Sequence, residues 1–211
     1  MTVHAVIFDL GGVVLGSPLH AIAAYERDEG IPEGFINRVV ASSAPIGAWS
    51  RLERGELAME DFFTAFESDC ADAGRTISAR TMMARIGQAA GPRPLMLRAI
   101  ERIRDRGLAV AALTNNWIAE ERRDDSGSAS LKPLFDVFIE SSIEGLRKPD
   151  PRIYQLACQR LHVSAEQTVF LDDIGANLKP ARALGMTTIK VLEPESALRE
   201  LASVLGFGLS D

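Results

Sequence analysis

The chain has 211 residues, of which 46% are hydrophobic and 25% charged, the balance of an ordinary globular protein with one large domain or a domain carrying an insert. With 23 Lys and Arg against 29 Asp and Glu, the net charge of −6 excludes a broad electrostatic footprint for nucleic acid, though not a small anion in a local positive pocket. No apolar run approaches the roughly 20 residues of a bilayer-crossing helix, and the first residues lack the basic start and cleavage site of a signal peptide, so neither a membrane span nor a secreted product is expected.

In chain order, Val3 to Phe8 is a short apolar run of strand length, ended by Asp9 and the pair Gly11-Gly12. From Leu19 the pattern turns helical and stays so to about Ala90. Leu19 to Gly30, Glu33 to Ser43, Met59 to Ala73 and Ser78 to Ala89 read as four helices, with no convincing strand between them. Ala44 to Gly47 reads as a loop, and Gly55 as a terminator after Trp49 to Arg54. Cys70 and Cys158 fall in helical segments without metal-type spacing, so free thiols and a reducing cytoplasm are expected.

After Gly91-Pro92-Arg93-Pro94 the pattern alternates. A helix over Leu95 to Arg106 precedes a strand over Leu108 to Leu113. A polar segment, Glu120 to Ser130, reads as a mobile surface loop. Phe135 to Ile139 is a third strand. Asp150 then caps a helix with Pro151 in its first turn, running to Leu161. Thr168 to Leu171 is a fourth strand, Asn177 to Leu184 a helix, Met186 to Leu192 a fifth strand and Pro194 to Leu205 a final helix. Strands alternating with helices predict an α/β fold with a doubly wound parallel sheet, interrupted after its first strand by a helical insert. The expected division is a core of 1–18 and 91–211 with an insert of 19–90.

The proposed strands end in polar residues: Asp9, Thr114-Asn115, Glu140-Ser141-Ser142 and Asp172-Asp173. Strand ends on one edge of such a sheet face one crevice. Any one of these groups reads equally well as a turn or cap; the whole set does not. Adjacent carboxylates repel unless a cation sits near. Asp172 and Asp173 with Asp9 suggest Mg2+, which takes a few carboxylate oxygens plus water and phosphate. Lys148, in a Lys-Pro-Asp-Pro loop, is a candidate counter-ion. Together these residues read as phosphoryl transfer, with Asp9 as nucleophile. Thr114 and backbone N–H groups near Gly12 and Asn115 would hold the phosphate oxygens.

The runs FDLGGVVL from Phe8, LTNN from Leu113, RKPDP from Arg147 and FLDD from Phe170 stand in the order found in the haloacid dehalogenase superfamily, which the whole chain resembles. The longer run FLDDIGANLKPARALGMTTI is similar to the phosphatase domain of soluble epoxide hydrolases and to the corresponding domain of some acyl-CoA dehydrogenases. The resemblance implies a Rossmann-like core of strand order 3-2-1-4-5 and an all-helical cap over the active site. It implies Asp9 as nucleophile and metal ligand, Thr114 as phosphate ligand, Lys148 as the motif lysine, Asp173 as the direct metal ligand and Asp172 beside it. Asn177 is left two roles, support of these carboxylates or cap of its own helix.

One position departs from the family pattern. Its phosphatases carry a second Asp two residues after the nucleophile, as acid to the leaving group and base to the water. Here that position is Gly11, whose carbonyl can still face a metal but cannot move a proton. General acid–base help is worth ~10²–10⁴ in rate, so slow, selective or absent turnover is expected, worst for poor leaving groups. A Mg2+-dependent phosphatase of a small phosphorylated metabolite is the first reading. A non-catalytic domain binding a phosphate ligand or a protein partner is the second. A carbon–halogen hydrolase is the third, disfavoured because it needs no metal carboxylates. Trp49 reads more readily as core of the helical insert than as pocket lining, and Trp117 as a residue near the crevice mouth.

Overall fold

A buried run of four apolar residues, Ala5–Phe8, is the central strand β1 of a parallel sheet in this computed structural model, which describes residues 2–118 and 129–209. Strands of such sheets are covered on both faces, and so read as unbroken apolar runs. β2 (Ala109–Thr114), β3 (Val137–Glu140), β4 (Thr168–Asp172) and β5 (Thr187–Lys190) complete it, in the order β3-β2-β1-β4-β5. This is the 3-2-1-4-5 order that the resemblance implies. Phe8 lies opposite Ala112 of β2 and Leu171 of β4.

Alternation along β1 splits the core in two. Val6 and Phe8 face α6 (Pro94–Asp105) and α10 (Pro194–Leu205), meeting Ile100, Ile103, Leu198 and Leu201. Ala5 and Ile7 face α8 (Pro151–Leu161) and α9 (Gly175–Ala183), meeting Ile153, Ala157 and Leu178. Asp150 caps α8 as expected: its side chain accepts the Arg152 N–H, and Pro151 occupies the first turn. A short helix α7 (Ser141–Glu144) follows β3.

Between β1 and β2 lie α1 (Pro18–Asp28), α2 (Phe35–Ser43), α3 (Ala48–Glu53), α4 (Met59–Asp72) and α5 (Ala79–Ala89). They enclose a third apolar cluster in which Phe62 stacks on Phe66 at 5.3 Å and Trp49 meets both rings edge-on. The sequence predicts four helices here; α3 is a fifth. Its six residues are too few to show a period, but burial of Trp49 and Leu52 on one face fixes it between Gly47 and Gly55. Gly55 follows its end with φ +71, the left-handed turn expected of it.

β3 starts two residues later than predicted. Asp136 replaces strand pairing with its own groups: its N–H donates to Val110 O and its carboxylate accepts the Val110 N–H, both at 2.8 Å. The predicted loop from Glu120 lies outside the described residues except for its last two, which enter a 3₁₀ turn at Ala129–Leu134. Cys70 is buried, Cys158 half-buried, and both are free thiols; burial pushes the Cys70 thiol up to about 12. Among the described residues no helix is long and apolar enough to cross a membrane.

Candidate active site

The register of the sheet sets the site. Because Phe8 pairs with Leu171, Asp9, just past the end of β1, stands level with Asp172, the last residue of β4, and the Asp9 N–H still donates to Leu171 O at 2.9 Å. On the other side Thr114, the last residue of β2, lies one residue further out than Asp9. Beyond Asp9 the chain makes a wide turn over Leu10–Val14, closed by the Leu15 N–H on Leu10 O at 2.8 Å. Gly12 takes φ +78 there, a conformation L side chains rarely adopt. Its N–H donates to Gly16 O at 3.1 Å, inside its own turn. Gly11 has an ordinary φ of −63 and lies against the ring of Pro18.

Lys148 enters from the loop between α7 and α8. It is 1% exposed, and its Nζ lies 2.8 Å from Asp9 Oδ1 and 2.8 Å from Asp172 Oδ2. Asn115 holds the loop: its Oδ1 accepts the Lys148 N–H at 2.8 Å, and its Nδ2 donates to Lys148 O at 3.0 Å. Both bonds are made by the Asn115 side chain, and no motif spacing announces them.

Asp9, Asp172 and Asp173 bring carboxylate oxygens within 4.8 Å of one another, the one such acidic group among the described residues. Asp172 is fully buried. Besides Lys148 it accepts the Ile174 N–H at 2.8 Å, and Asn177 Nδ2 donates to both of its oxygens at 3.1 Å. Of the two roles open to Asn177, the structure displays the first: it lies inside α9, whose cap residue is Ile174, and holds Asp172. Tyr154 Oη donates to Asn177 O at 2.7 Å and fixes that turn. Asp173 is less covered and accepts a long hydrogen bond, 3.4 Å, from Ser17 Oγ, a buried hydroxyl that the sequence reading passed over.

The charges are out of balance. Burial lifts the Asp9 carboxyl well above its usual range; Lys148 opposes this, while Asp172 and Asp173 add to it. Burial alone would lower the Lys148 ammonium, but Asp172 and Asp9 together hold it above its usual range. Burial, then the charge of Asp172, pushes Asp173 up to about 6. Three carboxylates around one ammonium therefore leave negative charge uncompensated, and the all-oxygen donor set fits a hard divalent cation.

The helical bundle meets this edge of the sheet. Glu53 of α3 pairs with Arg147 Nε at 2.5 Å and accepts Asn115 Nδ2 at 3.3 Å. Trp49 is bundle core, and Trp117 packs against it edge-on at 6.3 Å from the sheet side. Neither Glu53 nor Arg147 was singled out from the sequence; Arg147 stands in a motif and Glu53 does not.

The resemblance is carried by known proteins. The family model described as haloacid dehalogenase-like hydrolase matches residues 3–185. Acyl-CoA dehydrogenase family member 10 of Mus musculus is 40% identical over 98% of this chain, and bifunctional epoxide hydrolase 2 of Sus scrofa is 34% identical over 99% of it. The chain spans only 19% and 40% of those two proteins. A HAD family enzyme of Bacteroides thetaiotaomicron, solved in complex with magnesium and inorganic phosphate, has the same fold with a TM-score of 0.61 at 18% identity, covering 89% of this chain and 93% of that one. On the strength of the family match and of relatives aligned along nearly its whole length, this chain belongs to the haloacid dehalogenase-like hydrolases.

Proposed function

We propose that the chain is a Mg2+-dependent phosphatase of a small phosphorylated metabolite, working through an aspartyl-phosphate on Asp9. The observation that carries this is the placement of Lys148, 2.8 Å from Asp9, beside a cluster of carboxylates suited to a divalent cation. The structural neighbour bound to magnesium and phosphate supports it. Mg2+, held by Asp9 and Asp173 with Asp172 and the Gly11 carbonyl beside them, would supply positive charge facing the phosphoryl oxygens.

Asp9 attacks phosphorus in line with the ester oxygen. An oxygen–phosphorus bond forms, the ester bond breaks, and the leaving oxygen takes a proton. Water then attacks the aspartyl-phosphate, giving inorganic phosphate and restoring the carboxylate. Lys148 offsets the repulsion between an anionic nucleophile and an anionic substrate, and Thr114 donates its hydroxyl to an equatorial oxygen. Gly11 supplies no proton, so the leaving group takes one from water or departs as a stabilised anion. Esters with good leaving groups are the favoured substrates. The α1–α5 bundle serves as the cap that closes over the site.

The test is hydrolysis of p-nitrophenyl phosphate. Activity should require Mg2+, and Asp9→Asn should lower it by at least about 10⁴-fold, the scale of losing a nucleophile. Retained turnover in that variant would exclude Asp9 from the nucleophile's role. Gly11 favours a second reading, a phosphate-binding domain without turnover. It predicts thermal stabilisation by phosphate with no product from a broad panel of esters.

A further inference from the structure

Glu53 is a buried carboxylate on the bundle, and both its oxygens are engaged. Oε1 accepts Trp49 Nε1–H at 3.0 Å, inside the bundle. Oε2 crosses to the sheet side, where Arg147 Nε and Asn115 Nδ2 converge on it. Arg147 reaches further into the bundle, with Nη1 3.3 Å from Ser50 Oγ. The backbones also close up: a Cβ on Gly55 would lie 2.3 Å from Ser142 O.

The partners on the sheet side are not arbitrary. Asn115 follows Thr114, and Arg147 precedes Lys148. Asn115 also holds the Lys148 backbone at both its N–H and its carbonyl. One carboxylate on the bundle therefore touches the immediate neighbours of the two residues that would meet a phosphoryl group. Lifting the bundle would separate Glu53 from both partners: Arg147 would lose the carboxylate and hydroxyl that it reaches on the bundle, and Asn115 would keep only its bonds to the Lys148 backbone.

We infer that Glu53 is a positioning residue: it latches the seated helical bundle to the loops of Thr114 and Lys148, so that closure of the bundle and placement of the phosphate-binding groups are one event. This rests on the phosphoryl-transfer reading of the site, but its test does not need turnover. Trp49 and Trp117 are the only two tryptophans in the chain, and they pack 6.3 Å apart at 75° across the same boundary. The far-ultraviolet exciton couplet of such an indole pair reports seating of the bundle directly.

The experiment compares the full chain with Glu53→Gln, Arg147→Met and the double variant. Each is measured for the couplet and for calorimetric binding of inorganic phosphate in saturating Mg2+. Glu53→Gln keeps an acceptor for Trp49 and guards against loss of the bundle's fold, which the thermal midpoint checks. We expect each single variant to weaken the couplet and to lower phosphate affinity about tenfold, the usual effect of removing a group that orients a site residue. The double variant should be no worse than the worse single one, because both remove the same contact. An intact couplet in Glu53→Gln would overturn the latch. Unchanged phosphate affinity with a lost couplet would overturn its link to the site, as would additive losses in the double variant. A wild-type chain that binds no phosphate and hydrolyses no ester would instead overturn the phosphatase reading, and the couplet alone would then decide whether Glu53 seats the bundle.

Discussion

Gly12 leaves room for the carboxylate of Asp173: a Cβ at position 12 would lie 2.0 Å from Asp173 Oδ2. The first and last motifs of the chain are thus in van der Waals contact, and the contact tolerates no side chain at all. Gly12→Ala should displace Asp173 and lower Mg2+ affinity by about tenfold or more, the scale of disturbing a ligand's orientation. The left-handed φ of +78 adds a backbone cost of about 1–2 kcal/mol. Calorimetric Mg2+ titration checks the first effect and thermal unfolding the second. Wild-type Mg2+ affinity in this variant would mean Asp173 does not hold the ion.

Its neighbour behaves differently. Gly11 has φ −63, and a Cβ there meets only the Pro18 ring, at 3.2 Å, so a side chain is accommodated by a small shift. Gly11→Asp should therefore fold and restore a proton donor. Turnover of alkyl phosphates should rise, by up to about 10²-fold, and that of aryl phosphates by less, because a phenolate leaves without protonation. Equal gains on both substrates would show that protonation of the leaving group is not what the glycine costs.

Lys148 is the ammonium that pairs both Asp9 and Asp172 in a buried setting. Lys148→Met keeps the volume and strands two carboxylates. Stability should fall by about 3–5 kcal/mol, the cost of leaving a buried charge uncompensated. In a chain of this size the thermal midpoint drops by about 10 °C. Added Mg2+ should recover part of this loss and recover less in Asp9→Asn/Lys148→Met. A midpoint unmoved by Lys148→Met would contradict the ion-pair account.

The pH dependence follows from Asp173, which burial and then Asp172 hold at about 6 against an ordinary 3.8. Between those values the folded chain keeps a proton that the unfolded chain has released. Stability of the metal-free protein therefore falls as pH rises through that window and stays lower above it. Cation binding runs the other way, since it needs the ionised carboxylate. Mg2+ affinity should therefore rise with pH through about 6, and Asp9, whose carboxyl burial also lifts, adds to that rise. Denaturant melts without metal and Mg2+ titrations across the same pH range check the two opposite slopes. A flat Mg2+ affinity would remove Asp173 from the ligand set.

Much of this molecule is written in local pattern. Short apolar runs such as Ala5–Phe8 and the apolar 169–171 of β4 read as strands buried on both faces, so their number and their polar ends are legible along the chain. Asp150 with Pro151 marks a helix start for the same local reason. Of the short helix Ala48–Glu53 only the end, at Gly55, is legible: six residues carry no period, and the helix forms because Trp49 and Leu52 find a bundle core made by residues distant in sequence. Ser17 beside Asp173, Asn115 around the Lys148 backbone and Glu53 between Arg147 and Asn115 are likewise pairings across 156, 33, 94 and 62 positions, and no spacing rule encodes them. Local pattern alone tells which chemistry-bearing residues stand at the strand ends, because burial and periodicity act over a few residues. Which of them touch is set by the folded chain, where Lys148 serves two carboxylates and Gly12 yields its space to Asp173, because packing joins segments whose separation along the chain carries no information about distance.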